Sequence, residues 1–407
     1  MANRFFRNNT PNWNDTANWS LTSGGSGGLS IPVAGDIVYF DANSGNCNLN
    51  VNAFCRALIQ TGYTGTFTHT AGVSLSIGDA TAGPGNVALV MSASMFYILG
   101  NAVSSSISFV STSATVQTIN YAGKITGNVF YNGVGGSYQL ISNHTTDPLS
   151  TIRFVVGTLN TNGFTVNAGR FESIASGTRV LTLGSSVFNL TGVSNECFIF
   201  SNVTGLTITA NTAIIKCYGS ATTTSPKFLS VGNNTDWKFS LEFYGGGSYI
   251  IDSGNNVGFN NVRAETPPYV LNGIPADSLR FNNKIVLTGT LYVLGSGSQR
   301  RLKLYSLVSN QISKSTVIQA QYADFQNVQS LGPATDLSNS LGGAGDLGGN
   351  SGIIFTTPLT IYYYTPTTGV KNWSDSARWF NGTGGTGGLS RIPLPVDTVI
   401  FNAASFP

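Results

Sequence analysis

Asn12-Trp13-Asn14-Asp15 … Trp19 … Gly24-Gly25-Ser26-Gly27-Gly28-Leu29-Ser30 … Pro32 … Asp36 … Phe40 is written a second time as Asn372-Trp373-Ser374-Asp375 … Trp379 … Gly384-Gly385-Thr386-Gly387-Gly388-Leu389-Ser390 … Pro393 … Asp397 … Phe401. The spacing is the same from the first tryptophan to the leucine-serine pair, and Arg391 is the only insertion before the aspartate. Internal repetition of this kind reports a modular architecture in which each unit leans on the next. The second copy runs into Pro407, so a second module is expected to open there.

Between the copies, short β-rich runs follow one another, separated by Gly, Asn and Ser. Examples are Ser74-Leu75-Ser76-Ile77, Phe164-Thr165-Val166-Asn167, Val187-Phe188-Asn189-Leu190 and Leu206-Thr207-Ile208-Thr209. Alternation of apolar and polar residues marks strands with one face buried. No long segment carries apolar residues at helical spacing. A sandwich would close its strands with two-residue Asn-Gly or Asp-Gly hairpins. Such pairs are scarce between these runs, Asn162-Gly163 and Asn272-Gly273 excepted. Related runs recur at roughly 20 to 25 residues, within the range of repeat units. The pattern predicts an all-β chain, a right-handed parallel β-helix in which Asn and Thr side chains stack along the ladder. The expected divisions are a Trp/Gly-rich cap over 1–45, a β-helical shaft over 46–330, a Gly-rich closure over 331–358, and the start of a second cap over 359–407.

Composition supports that reading. Of 407 residues, 9% are charged and 41% hydrophobic, and 49 are glycine. A typical soluble domain is roughly 25% charged. Solubility here rests on hydroxyls and amides, with β-formers in the strands and Gly, Asn and Ser in the turns. The net charge of +3, from 20 basic and 17 acidic side chains, carries no footprint for nucleic acid. The densest basic cluster, Arg300-Arg301-Lys303, reads as a solvated corner. No run of about 18 apolar residues suggests a membrane span. Met1 to Asn8 lacks the apolar stretch of a signal peptide. An extracellular style of composition without an export signal implies release by lysis as part of a particle.

The repeated Trp/Gly motif, with its Asp36-Ile37-Val38-Tyr39-Phe40-Asp41-Ala42-Asn43-Ser44 continuation, resembles a module of large bacteriophage virion proteins of the tail-fibre and adhesin-like kind. Tyr322-Ala323-Asp324-Phe325-Gln326-Asn327-Val328, followed by Gly348-Gly349-Asn350-Ser351-Gly352-Ile353, is similar to the end of that module. The resemblance implies a surface or tail-fibre role: a structural protein of the virion, assembled in host cytoplasm, with a bacterial surface adhesin as the alternative, since bacterial surface proteins share similar segments. Its implied partners are other virion proteins and a host surface glycan or receptor, and its implied state is a homo-oligomer such as a trimer. It brings no catalytic residues with it. Trp13 and Trp19 read as apolar plates that close the end of the coil, with stacking on sugar rings as the alternative use.

The chemical motifs carry less. Gly24-Gly25-Ser26-Gly27-Gly28 matches a nucleophile elbow, but no helix can follow it before Pro32. Gly382-Thr383-Gly384-Gly385-Thr386-Gly387 matches a phosphate loop and also lacks its helix. The two histidines, His69 and His144, are too far apart in sequence to make a zinc site alone. The cysteines Cys47, Cys55, Cys197 and Cys217 form no CxxC pair and read as buried free thiols. No catalytic, cofactor or metal residues are assigned. The enzymatic alternative is glycan cleavage by paired carboxylates, for which Glu242, Asp252, Glu265 and Asp277 are the candidates. Tyr362-Tyr363-Tyr364, Phe243-Tyr244 and Trp237 are candidates for sugar stacking or, equally, strand residues with one buried face.

Overall fold

In the computed structural model the described residues are 2–7, 9–219, 225–267, 277–366, 372–389 and 391–406. The Asn272-Gly273 turn and Ser390 lie outside them. The fold is all-β, with strand pairing that is almost entirely parallel. Helical structure among the described residues is limited to 3₁₀ turns of three residues, such as Thr16–Asn18 and Ser376–Arg378. The chain divides into two compact units, Met1–Lys216 with Leu229–Val231, and Cys217–Phe228 with Gly232–Pro407.

In the first unit the chain visits three parallel ladders in rotation. One runs through Ile37–Tyr39, Ala57–Ile59, Val87–Val90 and Val116–Asn120, then on to Arg179–Thr182 and Leu206–Thr209. A second runs through Ala53–Cys55, Ser74–Ile77 and Ser106–Phe109 to Arg170–Glu172 and Glu196–Phe200. The long strands Asn128–Leu140 and Thr151–Asn160 serve both ladders, and their register shifts where they pass from one to the other. The third is broken: Cys47–Leu49, Thr66–His69 and Phe96–Leu99 pair together, and a new stack begins at Ile125–Thr126 and continues through His144–Thr146, Val166–Ala168 and Val187–Leu190.

Register sets the core. Leu75, Ile107, Val129, Ile152, Phe171 and Phe198 are paired rung to rung, and each is at most 2% exposed. Each fully buried side chain of this kind contributes about 1.5–3 kcal/mol. Aromatic rings stack between rungs, Phe109 on Tyr131 at 5.2 Å and Phe171 on Phe198 at 5.1 Å. Outside, Asn189 Nδ2 donates to Asn167 Oδ1 (2.8 Å) and Asn167 Nδ2 to Thr145 Oγ1 (3.1 Å), the side-chain ladder expected from composition. The Asn162-Gly163 turn has φ of 53° and 78°, but it joins Thr151–Asn160 to Val166–Ala168, which do not pair with each other. It is a corner between ladders and not a hairpin.

The second unit repeats the scheme. Ser240–Tyr244, Val262–Glu265, Leu291–Leu294 and Ile318–Gln321 form one parallel ladder. Ser248–Ser253, Ser278–Phe281, Leu302–Lys314, Ala323–Leu331 and Ala344–Asp346 form another. Val257–Phe259 and Ile285–Leu287 pair onward to the far half of Leu302–Lys314. Many rungs keep the 20 to 25 residues expected, as between the paired Ala53 and Leu75 and between Asn48 and Thr68, and others are wider. Side-chain bonds between adjacent rungs span 22 residues at Asn189–Asn167, but 32 at Ser106–Ser74 and 30 at Asn282–Asp252. Loops such as the one holding Pro84–Asn86 lengthen a turn without moving the paired strands, because surface insertions cost little.

Candidate functional site

Both copies of the Trp/Gly motif build the same small sheet, a cap. In the first cap, Asn3–Phe6 pairs antiparallel with Trp19–Ser20 and parallel with Ile37–Tyr39. In the second, Thr360–Tyr363 pairs antiparallel with Trp379–Phe380 and parallel with Thr398–Ile400. Asp15 accepts from Ala17 N (2.9 Å) and Asp375 from Ala377 N (3.1 Å), each capping a 3₁₀ turn. Trp19 Nε1 donates to Trp13 O at 2.8 Å, and Trp379 Nε1 to Trp373 O at 2.8 Å. The paired indoles meet edge to face, with centroids 4.8 Å and 4.7 Å apart. Trp13 and Trp19 are fully buried, so in the first copy neither is open to a sugar.

The conserved-in-place aspartate of each copy joins its cap together. Asp36 accepts from Ala2 N (2.8 Å), and Asp397 from Leu359 N (2.9 Å) and Leu394 N (2.6 Å). Each also meets an arginine, from a different place. Arg4, on the first strand, lies 3.4 Å from Asp36, whereas Arg391, the inserted residue, lies 2.5 Å from Asp397. The position of Arg4 in the second cap is taken by Ile361, which pairs with Val399 as Arg4 pairs with Val38. The insertion therefore supplies the cation that the strand lacks. Burial pushes the Asp397 carboxyl up, but the Arg391 guanidinium and the two backbone N–H donors outweigh it, and the pKa is lowered.

Of the four candidate carboxylates, two share a face. Glu242 pairs in register with Arg263, and Glu265 lies two residues along the same strand as Arg263, on the same side. Tyr244 OH donates to Glu242 (2.8 Å), and Arg263 donates to Glu265 through Nε (2.9 Å) and Nη2 (2.5 Å). Arg263 also lies over the Tyr292 ring at 5.6 Å, and Tyr218 stacks on Tyr244 at 5.7 Å. Burial, and then the Glu242 carboxylate, push the Tyr244 hydroxyl up. Asp252 and Asp277 stand elsewhere: Asp252 accepts from Asn282 Nδ2 (2.8 Å), and Asp277 is held by Gly247 N (3.1 Å) and Arg300. On the strand that follows Leu291–Leu294 in this ladder, a cavity of about 350 Å³ is lined by Gln319, Asp336, Leu337, Asn339 and Ser340 among others.

The remaining candidates are structural. The basic cluster is taken up internally: Arg301 holds Asp324 (2.7 Å) and the carbonyls of Gly342 and Gly343, and Lys303 lies over Tyr305 at 4.7 Å. Tyr363 is 5% and Trp237 6% exposed, which places both in the core. Both glycine motifs lack an α-helix; the second holds only the 3₁₀ turn Thr383–Gly385. All four cysteines are buried, and none is in a disulfide. Among the described residues no three His, Cys, Asp or Glu side chains converge as a metal would require. No helix of the described residues is long and apolar enough to cross a membrane.

Both histidines are interior. His69 Nδ1 meets Tyr97 OH (2.7 Å) and Nε2 meets Val73 O (2.9 Å). His144, in a stretch that reads as a turn, begins the strand His144–Thr146; it stacks on Tyr121 at 3.8 Å and meets Thr126 Oγ1 at 3.1 Å. Burial lowers its pKa to about 3. Sequence inspection passed over Arg179, which is fully buried and donates to the carbonyls of Gly177, Asn202 and Thr204 and to Ser173 Oγ. A basic residue at the start of a β-run is no signal in itself, because two of its acceptors are backbone atoms a full turn away. Comparison with protein-family models, curated proteins and solved structures finds no match.

Proposed function

We propose that this chain is a structural component of a bacteriophage particle: a tail fibre, spike or appendage that contacts the host surface and is assembled in the host cytoplasm. In this reading each unit winds as a right-handed parallel β-helix, and the Trp/Gly caps seal or open its modules. The observation that carries it is the Trp/Gly motif folded twice to one hydrogen-bond plan in a chain whose rungs are joined by parallel pairing. A rigid stack with repeated polar rungs suits many weak contacts acting together, where avidity replaces a single strong site. The partners are other virion proteins, a host glycan or receptor, and further copies of the chain. Immunogold labelling of particles with an antibody to this protein tests the reading. Label on a tail or surface appendage is expected; label confined to host cells, with bare particles, overturns it.

Glycan cleavage is the second reading, favoured by Glu242 and Glu265 standing on one outward face beside Tyr244 and Arg263. Hydrolysis asks for two carboxyl groups about 5 to 10 Å apart. New reducing ends from host-surface polysaccharide, lost in Glu242→Gln and Glu265→Gln, would establish it; no release from the native protein would dismiss it.

A further inference from the structure

Many outward polar side chains of this fold are engaged with one another. Asn189 bonds Asn167, Asn282 bonds Asp252, and Arg263 holds Glu265. One row of the second unit departs from that. Arg280, Tyr305 and Gln326 are paired in register on the strands Ser278–Phe281, Leu302–Lys314 and Ala323–Leu331. Arg280 stands between the buried Leu279 and Phe281, and Tyr305 between the buried Leu304 and Ser306, so the row faces outward. Lys303 lies two residues before Tyr305 on the same side, with Nζ 4.7 Å from the ring centroid. With rungs about 4.8 Å apart, the three paired positions span about 10 Å.

This row keeps its polar groups open. Among the described residues the side chains of Arg280, Tyr305 and Gln326 make no hydrogen bond, and neither Arg280 nor Lys303 forms an ion pair. All 17 Asp and Glu residues of the chain lie among the described ones. The carboxylates of and beside this ladder are already held. Asp324, in register with Lys303, accepts from Arg301 on both oxygens (2.9 and 2.7 Å). Asp252 lies 3.7 Å from Lys227 and accepts from Asn282. Asp277 is held by Arg300 and Gly247 N, and Asp346 accepts from Gly348 N and Asn350. Arg280 Nε is screened from solvent without a partner, whereas its two terminal nitrogens reach solvent. The guanidinium is therefore seated by its inner edge and presents its outer one.

We propose that Arg280, Lys303, Tyr305 and Gln326 bind an acidic saccharide, a sugar chain that carries carboxylate or sulfate groups. The guanidinium offers such an oxyanion a planar fork, and the ammonium adds a point charge beside it. The Tyr305 hydroxyl and the Gln326 amide supply donors and acceptors for sugar hydroxyls along the row. Two uncompensated cations fall short of the continuous basic stripe that a nucleic-acid backbone asks for. The inference names the class of glycan for the proposed host contact and rests on that reading for its setting alone, because the binding belongs to the purified chain.

Calorimetric titration of the whole chain with tetragalacturonate, with its methyl ester and with a tetranucleotide of thymidylate tests it. The acid is expected to bind, and the ester to bind at least about tenfold more weakly, because a charge-assisted contact is lost. Arg280→Gln and Lys303→Gln should each weaken the acid by about tenfold, and added salt should weaken it further. Tyr305→Phe keeps the ring and every charge, and should weaken binding in a chain that melts as the native one does. Arg153→Gln, which removes one charge from the first unit, should leave binding unchanged. No binding by the native chain overturns the proposal, as do equal affinity for acid and ester, equal affinity for the tetranucleotide, or equal losses in Arg153→Gln and Arg280→Gln. Failure here with labelled particle appendages would leave the virion reading standing, and binding here with bare particles would remove that reading and keep the site.

Discussion

Replacing His144 by phenylalanine should make one strand of the first unit insensitive to acid. His144 is fully buried, stacked on Tyr121 at 3.8 Å and bonded to Thr126 Oγ1 at 3.1 Å, and burial lowers its pKa from 6.5 to about 3. At pH 7.5 the ring is neutral in both folded and unfolded chains and contributes nothing that depends on pH. Below pH 6.5 the unfolded chain takes up a proton that the folded chain refuses, so stability falls as pH falls, until the folded pKa is reached. Well inside that window each pH unit costs about 1.4 kcal/mol, and the loss between pH 7.5 and 4.5 is about 2.7 kcal/mol. Phenylalanine keeps the ring stack and loses one hydrogen bond, about 1 kcal/mol, at every pH. Amide exchange of the strand His144–Thr146, corrected for the intrinsic rate at each pH, is the readout, because stacked repeats open in segments. The opening free energy of the native chain should drop relative to His144→Phe by about 2.7 kcal/mol between pH 7.5 and 4.5. A difference that stays constant with pH would refute the reasoning, because His144 would then be protonated in place without cost.

Two contrasts test other parts of the fold. Arg179→Met should cost the first unit about 2–4 kcal/mol in urea unfolding, because three carbonyls and Ser173 lose a buried cationic donor. Arg153→Met, whose side chain is 38% exposed, should cost less than about 1 kcal/mol, and equal losses would show that burial does not set the difference. Gly78→Ala would drive a Cβ into the Ser111 backbone at a φ of 137°, and should lower the first unit's stability by more than about 3 kcal/mol. Gly62→Ala, at φ 75° with nothing within 4 Å, should cost only about 1–2 kcal/mol, and parity of the two melting shifts would contradict the packing argument.

Where the sequence was readable, alternation and repetition carried the information. Ser74-Leu75-Ser76-Ile77 and Val187-Phe188-Asn189-Leu190 each form a strand with alternate residues inward, as period-two patterning requires. The Asn167–Asn189 ladder follows from the same pattern on the outer face. Register across turns is what the pattern hides. The extra length between Ser74 and Ser106 sits in loops that resemble any other Gly- and Ser-rich stretch. Because Glu242, Asp252, Glu265 and Asp277 are spread over successive β-runs, only strand pairing shows that Glu242 and Glu265 share a side while Asp252 and Asp277 face other partners. The two Trp/Gly copies look interchangeable in sequence, yet one pair of tryptophans is fully covered and the other leaves Trp373 half open. In the first copy the cover comes from Asn48 and Phe67, which lie outside the motif, and no residue within the motif encodes it.

Arg391 gives the repeat its sharpest test. The insertion restores a buried arginine–aspartate pair that the first cap builds from Arg4, and the side chain of Asp397 is fully buried. Breaking a buried pair by removing one partner costs about 3–5 kcal/mol. Asp397 keeps the N–H donors of Leu359 and Leu394, so Arg391→Met should destabilise the second unit at the lower end of that range. The loss should be largest above the ordinary aspartate pKa and should fade as the pH drops through the lowered folded value, because a protonated Asp397 needs no cation. Ile361 stands where Arg4 stands, so Ile361→Arg should harm the native chain by crowding a second guanidinium onto one carboxylate, and should rescue Arg391→Met. A double-mutant cycle on the second unit's unfolding reads this directly. A favourable coupling above about 1 kcal/mol is expected, and strict additivity would mean that the two caps keep the same aspartate for different reasons.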